Sequence, residues 1–165
     1  MSIALKQYFR SQQVPLQWSP ILRALAQEMC LAEGGDTASL RALFRGVGRR
    51  FAHSVSDQFD GAGSLADLAD AFNGLWSELN WGMVDFTEQA DHVSIHHYYA
   101  PIAEAFGSDN LLWSVGLLEG FYEAGFQRLG AGEGFHTQFV AHEDDGMCLK
   151  FKFATRQHLA SAGIA

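Results

Sequence analysis

Leu75-Trp76-Ser77-Glu78-Leu79-Asn80-Trp81-Gly82-Met83-Val84-Asp85-Phe86 is the stretch in which the chain changes period. Upstream of it, Leu65, Leu68, Ala69, Phe72, Leu75, Trp76 and Leu79 fall within one narrow helical arc, with Asp67, Asp70, Ser77 and Glu78 opposite. Gly61-Ala62-Gly63 is a turn, and Ser64 with Asp67 forms a cap of capping-box type. Helical spacing stops at Asn80-Trp81-Gly82. From Trp81 to about Tyr98 the pattern is strand-like, with a turn near Ala90-Asp91.

A short helical turn is expected at Pro101–Phe106, and Gly107-Ser108 interrupts it. Asp109 then caps a helix from Asn110 to about Leu129 that is apolar on two faces. Leu111, Val115, Leu118, Phe121, Tyr122 and Phe126 share one side; Gly116, Gly120 and Ala124, with Trp113 and Leu117, share another. Apolar residues on most sides imply burial between two layers. The small-residue ridge admits a second helix at close range, from the same chain or from another copy. The end reads as a hairpin: Phe135, Thr137 and Phe139 alternate with polar neighbours, Asp144-Asp145-Gly146 turns, and Leu149, Phe151 and Phe153 alternate with Lys150 and Lys152.

Toward the N-terminus, Pro20 can open a helix carrying Ile21, Leu22, Leu25 and Met29, broken by Gly34-Gly35. Asp36 or Thr37 caps the next helix, on which Leu40, Leu43, Phe44, Val47, Phe51, Val55 and Phe59 recur at helical spacing. Arg41, Arg45 and Arg49 form a stripe beside that apolar face. Gly46 and Gly48 each cost roughly 1 kcal/mol relative to Ala within a helix, so a close neighbouring backbone or a local bend is expected there. Residues 1–19 carry Tyr8, Phe9, Trp18 and four glutamines without a clean period. The expectation is therefore an α+β fold, a two-layer domain in which an antiparallel four-stranded sheet packs with four to five helices. It comprises an N-terminal arm (1–19), a single domain (20–156) and a C-terminal tail (157–165).

With 165 residues, 48% hydrophobic and 18% charged, the chain is long enough for a real core, and general disorder is excluded. Residues 1–50 carry a net charge of +4, residues 51–127 carry −12 without one Lys or Arg, and the remainder balances, giving −8. So long a stretch without cations argues against nucleic acid or an anionic membrane as partner. The acidic stretch is either a solvated face or the complement of the basic helix in another copy. No apolar run approaches a membrane span. Cys30 and Cys148 make no disulfide framework and are expected as buried free thiols.

No catalytic set stands out. His92, His96 and His97, with His142 at a distance, are the densest ligand cluster, but the spacing matches no metal motif, and exposed strand histidines are the expectation. No metal and no cofactor is expected. Arg41-x-x-x-Arg45 has the spacing of a cyclic-di-GMP receptor element, yet it sits within a helix and no D/N-x-S-x-x-G follows. Neither a phosphate loop nor a G-x-S-x-G elbow is present, and nothing singles out a carboxylate pair. The aromatics remain. Sugar rings stack on aromatic planes and their hydroxyls suit amides, which directs attention to Tyr8, Phe9, Gln12, Gln13 and Trp18 of the arm and to the Trp76/Trp81/Tyr98/Tyr99 region.

Three segments carry a family resemblance. Phe44-Arg-Gly-Val-Gly48-Arg-Arg-Phe51, Leu75-Trp-Ser-Glu-Leu-Asn80-Trp81-Gly82 and Leu118-Glu119-Gly120-Phe121-Tyr122, in this order and followed by the closing hairpin, resemble the D subunit of the bacterial cellulose synthase operon. The similarity covers roughly residues 20–156.

The resemblance implies a non-catalytic accessory protein of cellulose synthesis that assembles into ring-like octamers of dimers. Inner passageways would guide nascent β-1,4-glucan chains toward crystalline bundles, and a scaffold that aligns synthase complexes is equally consistent. Partners would be other copies of itself, other proteins of the operon and the glucan chain. Lys6 and Arg10 are followed by Gln12, Gln13 and Gln17 rather than by an apolar run, so a cytoplasmic place near the inner-membrane synthase is expected over the periplasm. The expected contact between copies comprises Arg41, Arg45, Arg49, Trp113, Gly116, Leu117, Gly120 and Ala124. Two other classes stay open: a small-ligand sensor with an enclosed apolar pocket, and a metal hydrolase built on the histidines.

Overall fold

The computed structural model describes residues 3–143 and 146–161. In chain order the elements are α1 (Ile3–Ser11), α2 (Ser19–Ala32), α3 (Thr37–Ser54), α4 (Leu65–Leu79), β1 (Met83–Glu88), β2 (Val93–Tyr98), α5 (Ile102–Phe106), α6 (Leu111–Ser114), α7 (Gly116–Arg128), β3 (Phe135–Glu143), β4 (Cys148–Thr155) and α8 (Arg156–Ser161). The sheet is antiparallel with strand order β1-β2-β4-β3. The fold is α+β, as the change of period at Asn80 implies.

Strand parity sets the core. Val84, Ile95, Leu149, Phe151, Phe153 and Thr137 face inward against α4 and α7, where Phe72, Trp76, Phe121 and Tyr122 are wholly buried. Each such side chain contributes roughly 1.5–3 kcal/mol by leaving water. Trp76 packs 4.6 Å from Phe121 and stacks on Trp81 at 5.6 Å, while Phe126 stacks on Phe153 at 4.3 Å.

Helix side chains cap part of each sheet edge. On β1, Asn73 of α4 accepts from the Val84 amide at 2.7 Å and donates to the Val84 carbonyl at 3.0 Å. On β3, Glu123 and Glu119 of α7 accept from the amides of Thr137 (3.1 Å) and Phe139 (2.6 Å). An edge strand otherwise offers unpaired amides to any passing chain.

Several local features differ from expectation. Residues 3–11 form a helix although the segment 1–19 as a whole shows no clean period, and α8 opens the segment expected as a tail. The helix expected across 110–129 is divided into α6 and α7 around Val115. Ser114 sends its Oγ–H back to the Asn110 carbonyl at 2.8 Å, a bond that competes with the helical ladder, and Gly116 follows. Helix α3 stops at Ser54, and a 3₁₀ turn over Ser56–Gln58 leads to the buried Phe59. The Asp144-Asp145 part of the hairpin turn lies outside the described residues; Gly146 has φ +85. Neither cysteine forms a disulfide among the described residues; Cys148 is buried and Cys30 half-buried. No helix among the described residues is long and apolar enough to cross a membrane.

Candidate functional site

Two arrangements gather the residues singled out above. The first is the lock between α3 and α7, which run in the same direction. Glycines remove the space between their backbones. A Cβ at Gly48 would lie 1.8 Å from the Leu117 carbonyl oxygen, one at Gly120 would lie 2.0 Å from that of Arg45, and one at Gly116 would lie 2.6 Å from that of Arg41. Gly46 meets nothing within 4 Å, so only the second of the α3 glycines is required by packing.

Beside this seam the arginine stripe meets two buried carboxylates. Glu119 (0% exposed) accepts from Arg41 Nε at 2.9 Å, from its terminal nitrogen at 2.5 Å and from Arg45 at 3.2 Å. Glu123 (5% exposed) accepts from Arg45 at 2.7 Å and lies 3.7 Å from Arg49 and 3.4 Å from His136 Nδ1. The Glu119 hydrogen bond holds the Arg41 guanidinium above its ordinary range, against the opposing effect of burial. The eight residues expected at a contact between copies thus find their partners inside one chain: the arginines pair with α7, Gly116 and Gly120 receive α3, and Trp113, Leu117 and Ala124 are buried. The basic helix and part of the acidic stretch complement each other within the chain.

The second arrangement is a cavity of about 350 Å³ under the arm. Phe9, Gln12 and Gln13 form one wall; Asn80, Gly82 and Tyr99 form the other. The Asn-Trp-Gly corner is dictated residue by residue. Asn80 takes the left-handed conformation (φ 57) that ends α4. Trp81 folds back so that its amide donates to the Trp76 carbonyl at 2.8 Å. Gly82 (φ +82) passes so close to Tyr98 that a Cβ would sit 1.9 Å from its carbonyl oxygen. Tyr99 is also left-handed (φ 61), a conformation that costs a bulky residue of order 1–3 kcal/mol and is held only when its surroundings impose it. Its amide donates to the Met147 carbonyl at 2.7 Å, and its carbonyl accepts from the Gln13 side chain at 2.5 Å. The Gln13 Oε1 atom is buried without a hydrogen-bond partner among the described residues. Arg10 is ion-paired with Glu104 and fastens the end of α1 to α5.

Of the five arm residues, the structure brings Phe9, Gln12 and Gln13 to this cavity. Tyr8 is exposed and meets Phe9 edge-on at 5.7 Å, and Trp18 is exposed at the start of α2, outside the lining. Asn80 and Gly82 belong to the site without having been singled out, whereas Tyr99 comes from the second aromatic region named above as suited to sugar.

The histidines correct one expectation. His97 is wholly buried, not exposed. Its Nε2–H donates to the Trp81 carbonyl at 2.7 Å, and its Nδ1 accepts from the Tyr122 hydroxyl at 2.7 Å. Burial lowers its pKa to about 4, partly offset by the bond to Trp81, and raises that of Tyr122 well above the ordinary phenol value. Its place two and four residues from Ile95 and Val93, on their face of the strand, was the available signal. His92 pairs with Asp91 and Ser94. Among the described residues no group of three or more His, Cys, Asp or Glu could hold a metal ion.

The three short segments quoted above are thus the α3–α7 lock and the corner beneath the arm. A family model for the D subunit of cellulose synthase matches residues 4–152. The chain belongs to this cellulose synthase D-subunit family. Its role lies in bacterial cellulose synthesis. The match reaches into the arm, beyond the resemblance that starts near residue 20. No curated protein matches the chain.

Proposed function

We propose that this member of the D-subunit family acts without catalysis, as an oligomeric accessory protein that organises synthase complexes or guides β-1,4-glucan chains toward ordered fibrils. The observation that carries the reading is the arm cavity. Phe9 and Tyr99 supply aromatic planes for the apolar faces of glucose rings, while Gln12, Gln13 and Asn80 supply amides for their hydroxyls. Tyr8 and Trp18 extend the aromatic surface of the arm beyond it.

Self-association is supported by apolar side chains left in water. Trp18, Ile21 and Leu25 follow one face of α2, and Leu43 and Val47 follow one side of α3, all exposed. At 100° per residue, Leu43 and Val47 lie across α3 from the arginine stripe. Copies meet through these stripes, first as dimers and then as a ring of eight. The lock residues Arg41, Arg45, Arg49, Trp113, Gly116, Leu117, Gly120 and Ala124 act behind this contact by fixing the position of α3. The assembly works on the cytoplasmic side beside other proteins of the operon.

Titration with cello-oligosaccharides followed by NMR tests the reading. Binding is expected for the full chain and is expected to be lost in Phe9→Ala/Gln12→Ala and after deletion of residues 1–18. Unaltered binding in both variants overturns the glucan role of the arm, and a monomer in light scattering overturns the assembly.

A further inference from the structure

Four guanidinium groups share one open groove of about 680 Å³. Arg41, Arg45 and Arg49 come to it from α3, and Arg156 comes from the start of α8. Two carboxylates serve all four. Arg41 and Arg45 commit their forks to Glu119 and Glu123. Arg49 lies 3.7 Å from Glu123, beyond hydrogen-bond distance, with its side chain 44% exposed. Arg156 donates its Nε–H to His136 Nε2 at 3.0 Å, and no carboxylate pairs with it among the described residues. His136 Nδ1 in turn lies 3.4 Å from Glu123, so four guanidinium groups share two carboxylates. The groove therefore carries two positive charges beyond its carboxylates, in a chain whose net charge is −8.

The buried Glu119 and Glu123 hold the lower arginines in place, so little side-chain entropy is lost when a ligand arrives. Two guanidinium groups from different elements, α3 and α8, lining one groove match an anion of at least two charges with several oxygens on one centre, which a single carboxylate does not supply. No Phe, Tyr or Trp lines the groove, and its imidazole, His136, is engaged by Arg156, so recognition rests on the phosphate. We propose that this groove binds a small phosphate-bearing anion, a phosphate ester or a diphosphate, gripped between Arg49 and Arg156 above Arg45. This site is separate from the arm cavity and does not depend on glucan binding.

Isothermal titration with inorganic pyrophosphate tests it. Binding is expected at low salt and weakens as salt rises, because the contacts are ionic and open to solvent. Arg49→Gln and Arg156→Gln are each expected to weaken it about tenfold, the loss of one charged hydrogen-bonding group. Arg49→Lys, which keeps the charge without the fork, falls between. Should Arg49→Gln lower the melting temperature, Arg156→Gln, further from the α3–α7 seam, decides alone. The proposal is overturned by no measurable binding, by equal affinity in the glutamine variants, or by acetate competing as well as phosphate. It is also overturned if Arg49→Gln lowers the assembly mass and leaves pyrophosphate affinity unchanged, since the rim would then be a contact between copies.

Discussion

Glu119 and Phe139 join the helical layer to the edge of the sheet: the buried carboxylate accepts the Phe139 amide at 2.6 Å while two arginines of α3 hold its other sides. One side chain thus caps part of a sheet edge and anchors the helix above it. Removing Glu119 leaves Arg41 without its carboxylate and the Phe139 amide without its acceptor, while Arg45 keeps Glu123.

Glu119→Ala is expected to cost about 3–5 kcal/mol, the scale for breaking a buried ion pair. Urea unfolding measures it. Hydrogen exchange should show the Phe139 amide, freed from its acceptor, losing protection by more than the global loss alone explains.

The two α3 glycines should respond with opposite sign. Gly46→Ala places its methyl in open space and is expected to stabilise the protein by up to roughly 1 kcal/mol through helix propensity. Gly48→Ala drives a Cβ into the Leu117 carbonyl and is expected to destabilise it by about 1–3 kcal/mol or more. Thermal melts of the pair decide, and equal behaviour would contradict the close approach of α3 to α7.

His97 makes stability depend on pH. Its pKa falls from the ordinary 6.5 to about 4 in the folded protein. As pH drops, the unfolded chain takes up the proton first. The stability conferred by the neutral ring is therefore whole above pH 6.5 and is lost between 6.5 and about 4. The loss amounts to roughly 3 kcal/mol at 1.36 kcal/mol per unit. Other acid groups add slopes of their own, so the measurement is the difference between wild type and His97→Gln, which should be less stable at pH 7 but show a flatter profile over this window.

The exposed stripes of α2 and α3 give a prediction about assembly. Ile21→Asp with Leu25→Asp should lower the mass seen in light scattering and leave the far-ultraviolet circular dichroism unchanged, because neither side chain belongs to the core. An unchanged mass would move the contact elsewhere.

Much of the fold was legible in the residues. The arc from Leu65 to Leu79, the halt at Asn80-Trp81-Gly82 and the alternation of β3 and β4 are local patterns, and local patterns survive into the structure because burial of one face rewards them. The two-faced character of α7 was legible for the same reason. Helix α1 was not, since its amphipathic arc spans only nine residues and the non-periodic, proline-containing segment that follows hides it. The candidate site was legible in part: Phe9, Gln12 and Gln13 suggested sugar, but the wall they face comes from Asn80, Gly82 and Tyr99, more than sixty residues away.

The sequence by itself determined the order and type of the central elements, the stripe of Arg41, Arg45 and Arg49, and the absence of cations between residues 51 and 127. Only the tertiary structure decided that the stripe meets Glu119 and Glu123 of the same chain, that His97 lies in the core, and that Arg156 comes to line the same groove as Arg49. The physical reason is range. Periodicity and capping act over a few residues, whereas ion pairing, burial of a polar ring and the juxtaposition of charges depend on which distant surfaces the packed core brings together.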